Sequence, residues 1–258
     1  RIKFASVSFL KNLTWEQAGQ STILGLSTAI NSVGPVKVRF YGSSVLALDG
    51  DNNLWVYGDN YNGQLSYGAA SYVATPRKVG ENIKDFDIGE RHSAVISGDY
   101  DTLLFAGNSS QGQIPYQKDS FSSTRHNYFT SVGITCGREH TMFVPDSTSA
   151  LFTSGSVYTN GYNSNGQLGR PTSAYYDPSP SNSLMRFDAT NVAKISAGNS
   201  HSAVLRTNGD LYVFGYNSYG QLGRGSTYGD GYAFSTSITA IANDAAKVSL
   251  GAIHSAYV

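Results

Sequence analysis

One motif repeats along most of the chain, and this repeat constrains the fold more than any other feature of the sequence. Two ten-residue segments are almost identical, GYNSNGQLGR at 161–170 and GYNSYGQLGR at 215–224. Weaker copies occupy 58–67 and 107–116, and a degenerate copy ends at Gln20. The glutamines of the motif are Gln20, Gln64, Gln113, Gln167 and Gln221, spaced by 44, 49, 54 and 54 residues. Such a period predicts a propeller or another repeat architecture.

A second motif recurs in fixed order with the first. It has the form Gly-x-x-His followed by Ser or Thr, and its histidines are His92, His140, His201 and His254. The first copy, which begins at Gly42, has Val45 where the others have histidine. Between the motifs, β-prone runs flank turns such as Asn208-Gly209, a composition that favours a tight hairpin. With a short apolar strand before each histidine motif, a repeat contains about four strands, the content of one propeller blade.

The two motifs together resemble the repeat of the regulator of chromosome condensation (RCC1) family. The resemblance rests on the Gly-x-x-His-Ser-Ala strand and the Gly-x-Asn-x-x-Gly-Gln-Leu-Gly turn, and it covers about residues 13 to 258. It implies an all-β propeller in which the repeated histidine packs and forms hydrogen bonds between blades. We therefore expect one propeller domain over 1–258. Structural roles are expected for His92, His140, His201, His254, Gln64, Gln113, Gln167 and Gln221.

The length of the chain leaves the number of blades open. The family usually has seven blades, which need roughly 350 residues at this repeat length, whereas the chain has 258. The repeats predict either a five-bladed ring or part of a larger propeller. Segments near Ile2–Leu10 and Ile253–Val258 read as strands that lack the rest of a blade. Joining these segments completes a fifth blade, which is the expected closure of a five-bladed ring.

Charge and hydropathy argue against nucleic-acid binding and membrane insertion. The chain has 18 basic and 18 acidic residues, so it lacks the basic excess that steers proteins to nucleic acid. No apolar run approaches the ~20 residues that span a bilayer. Low charge and abundant Gly, Ser, Asn and Tyr favour an extracellular or virion-surface setting.

Motifs for catalysis, metals and cofactors are absent, so we expect a non-enzymatic protein without a cofactor. The Gly-Gln-Leu-Gly turns lack the lysine and the following helix of a phosphate loop. The repeated histidines occupy the same point of successive blades, whereas metal ligands converge within ~2.0–2.1 Å of one ion. Asp49 begins a run that resembles a calcium loop, but Leu54 replaces the required glycine, and a hairpin turn explains the same residues.

The two longest connectors are rich in aromatic residues and predict a partner-binding surface. The span from glutamine to the next histidine is 34 residues after Gln167 and 33 after Gln221, against 25 to 28 elsewhere. Tyrosine provides a large contact area at low entropy cost, although solvated connectors are the alternative. The candidate partner-binding residues are Tyr175, Tyr176, Asp177, Tyr228, Asp230, Tyr232 and Phe234.

The predicted function is that of a rigid scaffold that presents loops to a protein partner, alone or within a larger assembly. The resemblance leaves two other functions open. One is guanine-nucleotide exchange on a small GTPase, or its regulation, and the other is inhibition of a hydrolase by one face of the propeller.

Overall fold

Five antiparallel sheets make up the described part of the chain, and each corresponds to one repeat of the sequence. The structure is a computed structural model and describes residues 35–98, 102–114, 118–122, 131–145, 155–169, 176–177, 191–225 and 240–258. These residues form strands and turns but no α-helix. Accordingly, none of them belongs to a helix long and apolar enough to cross a membrane. The expected all-β fold with about five repeats is confirmed.

We number the sheets as blades 1 to 5. Within each sheet, strands that are consecutive in the chain lie next to each other. Blade 1 contains β1 (Pro35–Tyr41), β2 (Ser44–Asp49), β3 (Leu54–Asp59) and β4 (Tyr72–Gly80). Blade 2 contains β5 (Ile83–Ile88), β6 (His92–Ser97), β7 (Thr102–Gly107) and β8 (Lys118–Ser122). Blade 3 contains β9 (Ser131–Cys136), β10 (His140–Pro145), β11 (Tyr158–Tyr162) and β12 (Tyr176–Asp177). Blade 4 contains β13 (Val192–Ala197), β14 (His201–Arg206) and β15 (Leu211–Gly215), and blade 5 contains β16 (Val248–Leu250) and β17 (Ser255–Tyr257).

The first strands of successive blades contact one another, so they line the axis of the arrangement. The second strand of a blade lies behind the first, and β2, β6 and β10 are buried along their whole length. Their residues are mostly apolar or small because both faces of a propeller sheet pack against neighbouring blades.

Apolar side chains from adjacent blades form a separate core at each junction. Leu46 and Val56 of blade 1 pack with Phe86 and Val95 of blade 2, for example. Equivalent clusters lie between blades 2 and 3, 3 and 4, and 4 and 5. Stability is therefore expected to come mainly from contacts between neighbouring blades, as in other repeat proteins.

The glycine that opens the Gly-x-Asn-x-x-Gly-Gln turn is required by the backbone. Gly107 has a φ of +109°, and a Cβ atom there would lie 2.3 Å from the carbonyl oxygen of Arg91. Only glycine combines this dihedral angle with such a close approach.

The strand register corrects the alignment of the first histidine motif. Ser44 pairs with Gly58, just as His92 pairs with Gly107 in the next blade. Ser44, and not Val45, thus occupies the histidine position of blade 1. The sequence alignment was wrong because it matched Gly42 to Gly89, although Gly42 lies one residue later in its turn.

Several sequence-based expectations fall outside the described residues. Segment 1–34, which contains Gln20 and the predicted N-terminal strand, is among them. Closure of the ring therefore stays a prediction.

Candidate functional site

Buried hydrogen bonds connect three of the repeated histidines to the next blade, whereas His254, in blade 5, is exposed. The His92 Nε2 atom lies 2.9 Å from the hydroxyl of Thr141 in blade 3, and that hydroxyl donates to the carbonyl of Gln113 at 2.9 Å. The same arrangement joins His140 to Ser202 at 2.8 Å, with Ser202 bound to the Gln167 carbonyl. It recurs for His201, Ser255 and the Gln221 carbonyl at the junction of blades 4 and 5. We call each histidine–hydroxyl–glutamine unit a seam.

The seam hydroxyl groups determine which ring nitrogen of each histidine carries the proton. A hydroxyl has one proton, and in the middle seam Ser202 gives it to the Gln167 carbonyl. The His140 Nε2 atom must then carry a proton and donate it to Ser202. Burial keeps this ring neutral and lowers the pKa of His140 to about 3. Burial likewise lowers the pKa of His92 to about 3 and that of His201 to about 4.

The glycine of each Gly-x-x-His motif makes room for the ring that follows it. A Cβ atom on Gly137 would lie 2.1 Å from His140 Cε1 and 2.6 Å from the carbonyl oxygen of Gly198 in the next blade. Tyr41 holds this position in blade 1, where the histidine is replaced by Ser44. The larger residue is accommodated there because no imidazole occupies the space.

The glutamine side chains close the turns in which they lie. The Oε1 atom of Gln167 accepts a hydrogen bond from the amide of Asn165 at 3.0 Å. Gln64, Gln113 and Gln221 accept the equivalent bond from the residue two positions earlier. A structural role for the repeated glutamines and histidines stays a prediction, and the two His140 substitutions proposed below test it for the histidines.

Acid is expected to destabilise the protein through the seam histidines. They remain neutral when folded but gain protons below pH 6.5 when unfolded, so stability is fully present above that pH and falls as pH decreases towards about 4. Each contributes a slope of about 1.4 kcal/mol per pH unit. Urea unfolding at pH 7, 6 and 5 measures this slope. The control His140→Gln should reduce it by the contribution of one group, and an unchanged slope would contradict the assignment.

The turns after the first and third strands of each blade gather on one face. The amide of Asn108, after β7, donates to the carbonyl of Arg91, in the turn after β5. Equivalent bonds at 2.8 Å join Tyr162 to Glu139 and Tyr216 to Ser200. We call this surface the loop face. The connectors after Gly169 and Gly225 both leave the described structure from it.

A polar cleft of about 450 Å³ opens at the centre of the loop face. The Tyr41 hydroxyl donates to Asn199 Oδ1 across it at 2.6 Å, which links blade 1 to blade 4. Glu90 pairs with Arg138 on its rim. Burial, and then the nearby charge of Glu90, raises the pKa of Tyr41 to about 12, while the hydrogen bond that Arg138 donates to Glu90 raises the pKa of Arg138. The cleft therefore offers fixed hydrogen-bonding groups rather than a group ready to transfer a proton near neutral pH.

Two exposed tyrosines lie in turns of the loop face. The side chain of Tyr61, in the turn after β3, is 81% exposed. Tyr219, in the equivalent turn of blade 4, is 66% exposed, and its ring packs edge-on against Tyr216 at 6.0 Å. Sequence reasoning missed both residues because they lie inside the repeat motif and were assigned to the scaffold. The signal was available, since the neighbouring consensus glycines place these positions on a solvent-facing turn.

The predicted partner-binding residues are mostly outside the described structure. Tyr175, Tyr228, Asp230, Tyr232 and Phe234 lie outside the described residues. Tyr176 and Asp177 form β12, whose backbone pairs with Tyr162 and Gly161 at the outer edge of blade 3. Their assignment to a partner stays a prediction.

The described residues contain no group of three or more His, Cys, Asp or Glu side chains suited to a metal ion. His92 and His140 instead form hydrogen bonds to different blades. Cys136 is buried, and burial raises the pKa of its thiol well above the usual value.

Comparison with known proteins identifies the repeat. Models of the regulator of chromosome condensation (RCC1) repeat match residues 154–205, 192–221 and 208–258. These matches include the complete histidine–glutamine pair of blade 4, and together with the five sheets they define an RCC1-type β-propeller. The chain thus carries RCC1 repeats over residues 154–258.

Named relatives agree with this class. The ultraviolet-B receptor UVR8 of Arabidopsis thaliana is 27% identical over 211 residues, which are 77% of this chain and 45% of the receptor. The structure of human WBSCR16 aligns with a TM-score of 0.71 at 20% identity, covering 88% of this chain and 58% of that one. Prp20p from Saccharomyces cerevisiae gives a TM-score of 0.71 at 18% identity and coverages of 88% and 56%. The chain thus spans about half of these proteins, and the structures show the shared fold.

Proposed function

We propose that this chain is a non-enzymatic scaffold whose loop face binds a protein partner. The observation that carries the proposal is the pair of exposed rings, Tyr61 and Tyr219, in equivalent turns of blades 1 and 4. Exposed tyrosines around a polar centre are typical of protein interfaces, where aromatic residues provide much of the binding energy. The turns that hold them are closed by Gln64 and Gln221, so little order has to be gained on binding.

The Tyr-rich connectors extend the same proposal. Both leave the described structure from the loop face, after Gly169 and Gly225, so a partner seated on this face meets the start of each. Tyr175, Tyr176, Tyr228 and Tyr232 are the anchors expected to widen the interface.

Replacing the exposed rings is expected to weaken partner binding at least a hundredfold. Truncation of an anchoring tyrosine costs about 2 kcal/mol or more at an interface. Two variants test the two parts of the proposal. The double variant Tyr61→Ser with Tyr219→Ser tests the exposed rings. The fourfold variant, with serine in place of Tyr175, Tyr176, Tyr228 and Tyr232, tests the connectors. Partners retained by the native protein are identified first, and their Kd values are then measured by calorimetry.

The control for this test is Val36→Ser, which removes an exposed apolar side chain at the start of β1, the opposite end of that strand from Tyr41 and the cleft. It should leave the Kd unchanged, and all variants should keep the native Tm within a few degrees. A partner that binds every variant equally well would place the interface elsewhere. Unfolding of the fourfold variant would instead assign the connector tyrosines to the core.

Regulation of a small GTPase is the second candidate function. The likeness to Prp20p favours it, since the structure of that protein was described together with its binding to Gsp1p and histones. Accelerated release of labelled nucleotide from a Gsp1p-type GTPase would support this candidate. If the protein at micromolar concentration does not accelerate nucleotide release, the scaffold function remains the better supported of the two candidates. Inhibition of a hydrolase stays a prediction, and the extracellular or virion-surface setting finds no support among the relatives.

A further inference from the structure

A second polar region lies along the axis, away from the cleft of the loop face. In each blade, the residue four positions after the histidine position of the second strand lies opposite one residue of the first strand. The five first-strand residues defined in this way therefore lie at the same register. This row consists of Lys37, Asp85, Gly133, Lys194 and Lys247, in blade order. Two residues further along the strands, the equivalent row begins with Arg39 and Asp87. The row residues form no part of the seams or of the loop face.

Charges in blades 1 and 2 are paired, but those in blades 4 and 5 are not. Lys37 forms an ion pair with Asp85, and Arg39 approaches Asp87 at 3.5 Å. Lys194 and Lys247 make no ion pair with any carboxylate of the described residues. Blade 3 contributes Gly133, which brings no side chain to this row.

Lys194 lies close enough to other cations for their charges to affect its ionisation. Desolvation lowers the pKa of Lys194, and the positive charges of Arg39, Lys247 and Lys37 lower it further, in that order. Arg39 belongs to blade 1, so its charge acts on Lys194 from a non-adjacent blade. Among the side chains of these two rows, four cations and two carboxylates leave a net charge of +2. Burial also raises the pKa of Asp87, which can only reduce the negative charge.

We propose that Lys194 and Lys247, together with Arg39, bind a phosphate-type oxyanion at the axis. A phosphate group carries about −1.5 to −2 charges near pH 7, which matches the unbalanced +2, whereas a single carboxylate would neutralise only half of it. Two lysines offer six N–H donors. The Nε atom of Arg39 approaches Asp87 and its Nη1 atom donates to the Val38 carbonyl, so Arg39 adds the remaining N–H donors of its guanidinium group. The anion comes either from a small phosphate compound or from a phosphorylated side chain, since both present the same group.

Thermal unfolding in phosphate and in chloride of equal ionic strength tests the site. Ten millimolar inorganic phosphate at pH 7 is expected to raise the Tm of the native protein by about 2–4 °C. The double variant Lys194→Gln with Lys247→Gln should lose this gain, and its Tm in chloride should be equal to or higher than native because a repulsion has been removed. That second result separates a ligand site from a structural one, whose loss would lower the Tm.

The matched control is Lys78→Gln, which removes an exposed amine that pairs with Glu81 after β4. This variant should keep the full phosphate gain. Calorimetry with inorganic phosphate and with a short phosphoserine peptide distinguishes the two sources. Binding of either that weakens at least tenfold in the double variant supports the site and identifies its source. Absence of binding by both probes, or equal loss in the control, would overturn the proposal.

Discussion

Removal of residues 246–258 is expected to abolish the cooperative unfolding transition. The segment contains β16 and β17, and Val248 covers the blade 4 cluster that includes Leu205 and Leu211. It also supplies Ser255, the hydroxyl of the last seam. Without it, an apolar face is exposed and His201 loses its acceptor. Urea unfolding followed by circular dichroism should show a broad, shallow transition. The truncated protein should also bind a hydrophobic dye in the absence of urea.

The control for this truncation is Ile253→Ser, which changes an exposed side chain of blade 5 and should leave a sharp transition. Deletion of residues 1–13 tests closure of the ring, because strands from that segment are predicted to complete blade 5. A similar loss of cooperativity would support closure within the chain. Native unfolding after the first deletion would show that blade 5 contributes little to the fold.

The substitution His140→Ala is expected to lower the free energy of unfolding by about 3–5 kcal/mol. It leaves a cavity in a fully buried site and removes the donor to Ser202. His140→Gln should recover a substantial part of this loss, since its amide nitrogen takes approximately the position of Nε2. The comparison separates the hydrogen bond from the volume, and chemical unfolding at pH 7.5 measures both. If His140→Ala unfolds at the native urea concentration, the seam contributes nothing.

Features repeated with constant spacing could be predicted from the sequence. The Asn208-Gly209 turn, the strands that flank such turns and the all-β class all followed from local patterns that recur. The hydroxyl of each seam was also visible in the sequence, as the Ser or Thr after each histidine. Its function was not apparent, because its partners belong to the preceding blade and lie up to 62 residues away in the chain.

Features found at a single place could not be predicted. Ser44 was missed because Gly42 shifts the apparent alignment by one residue, and only the pairing of Ser44 with Gly58 shows the correct register. The bond from Tyr41 to Asn199 depends on the curvature of the whole arrangement. The lysines at the axis belong to first strands, whose sequences differ between blades. Their common register becomes clear only when the strands are paired.

The seams also bear on how such a chain changes over evolutionary time. Each joint needs a histidine and a glutamine carbonyl on one side and a hydroxyl on the other, and every complete unit supplies both sides. Duplicating or losing one unit in the gene would therefore leave the remaining joints chemically unchanged, and the number of units can drift without coordinated substitutions. The joint after blade 1 is the exception, since Ser44 replaces the histidine and Ser93 keeps only its bond to the Gln64 carbonyl. Copies inserted there would inherit the weakest joint, so gains and losses are expected to fall among the later units.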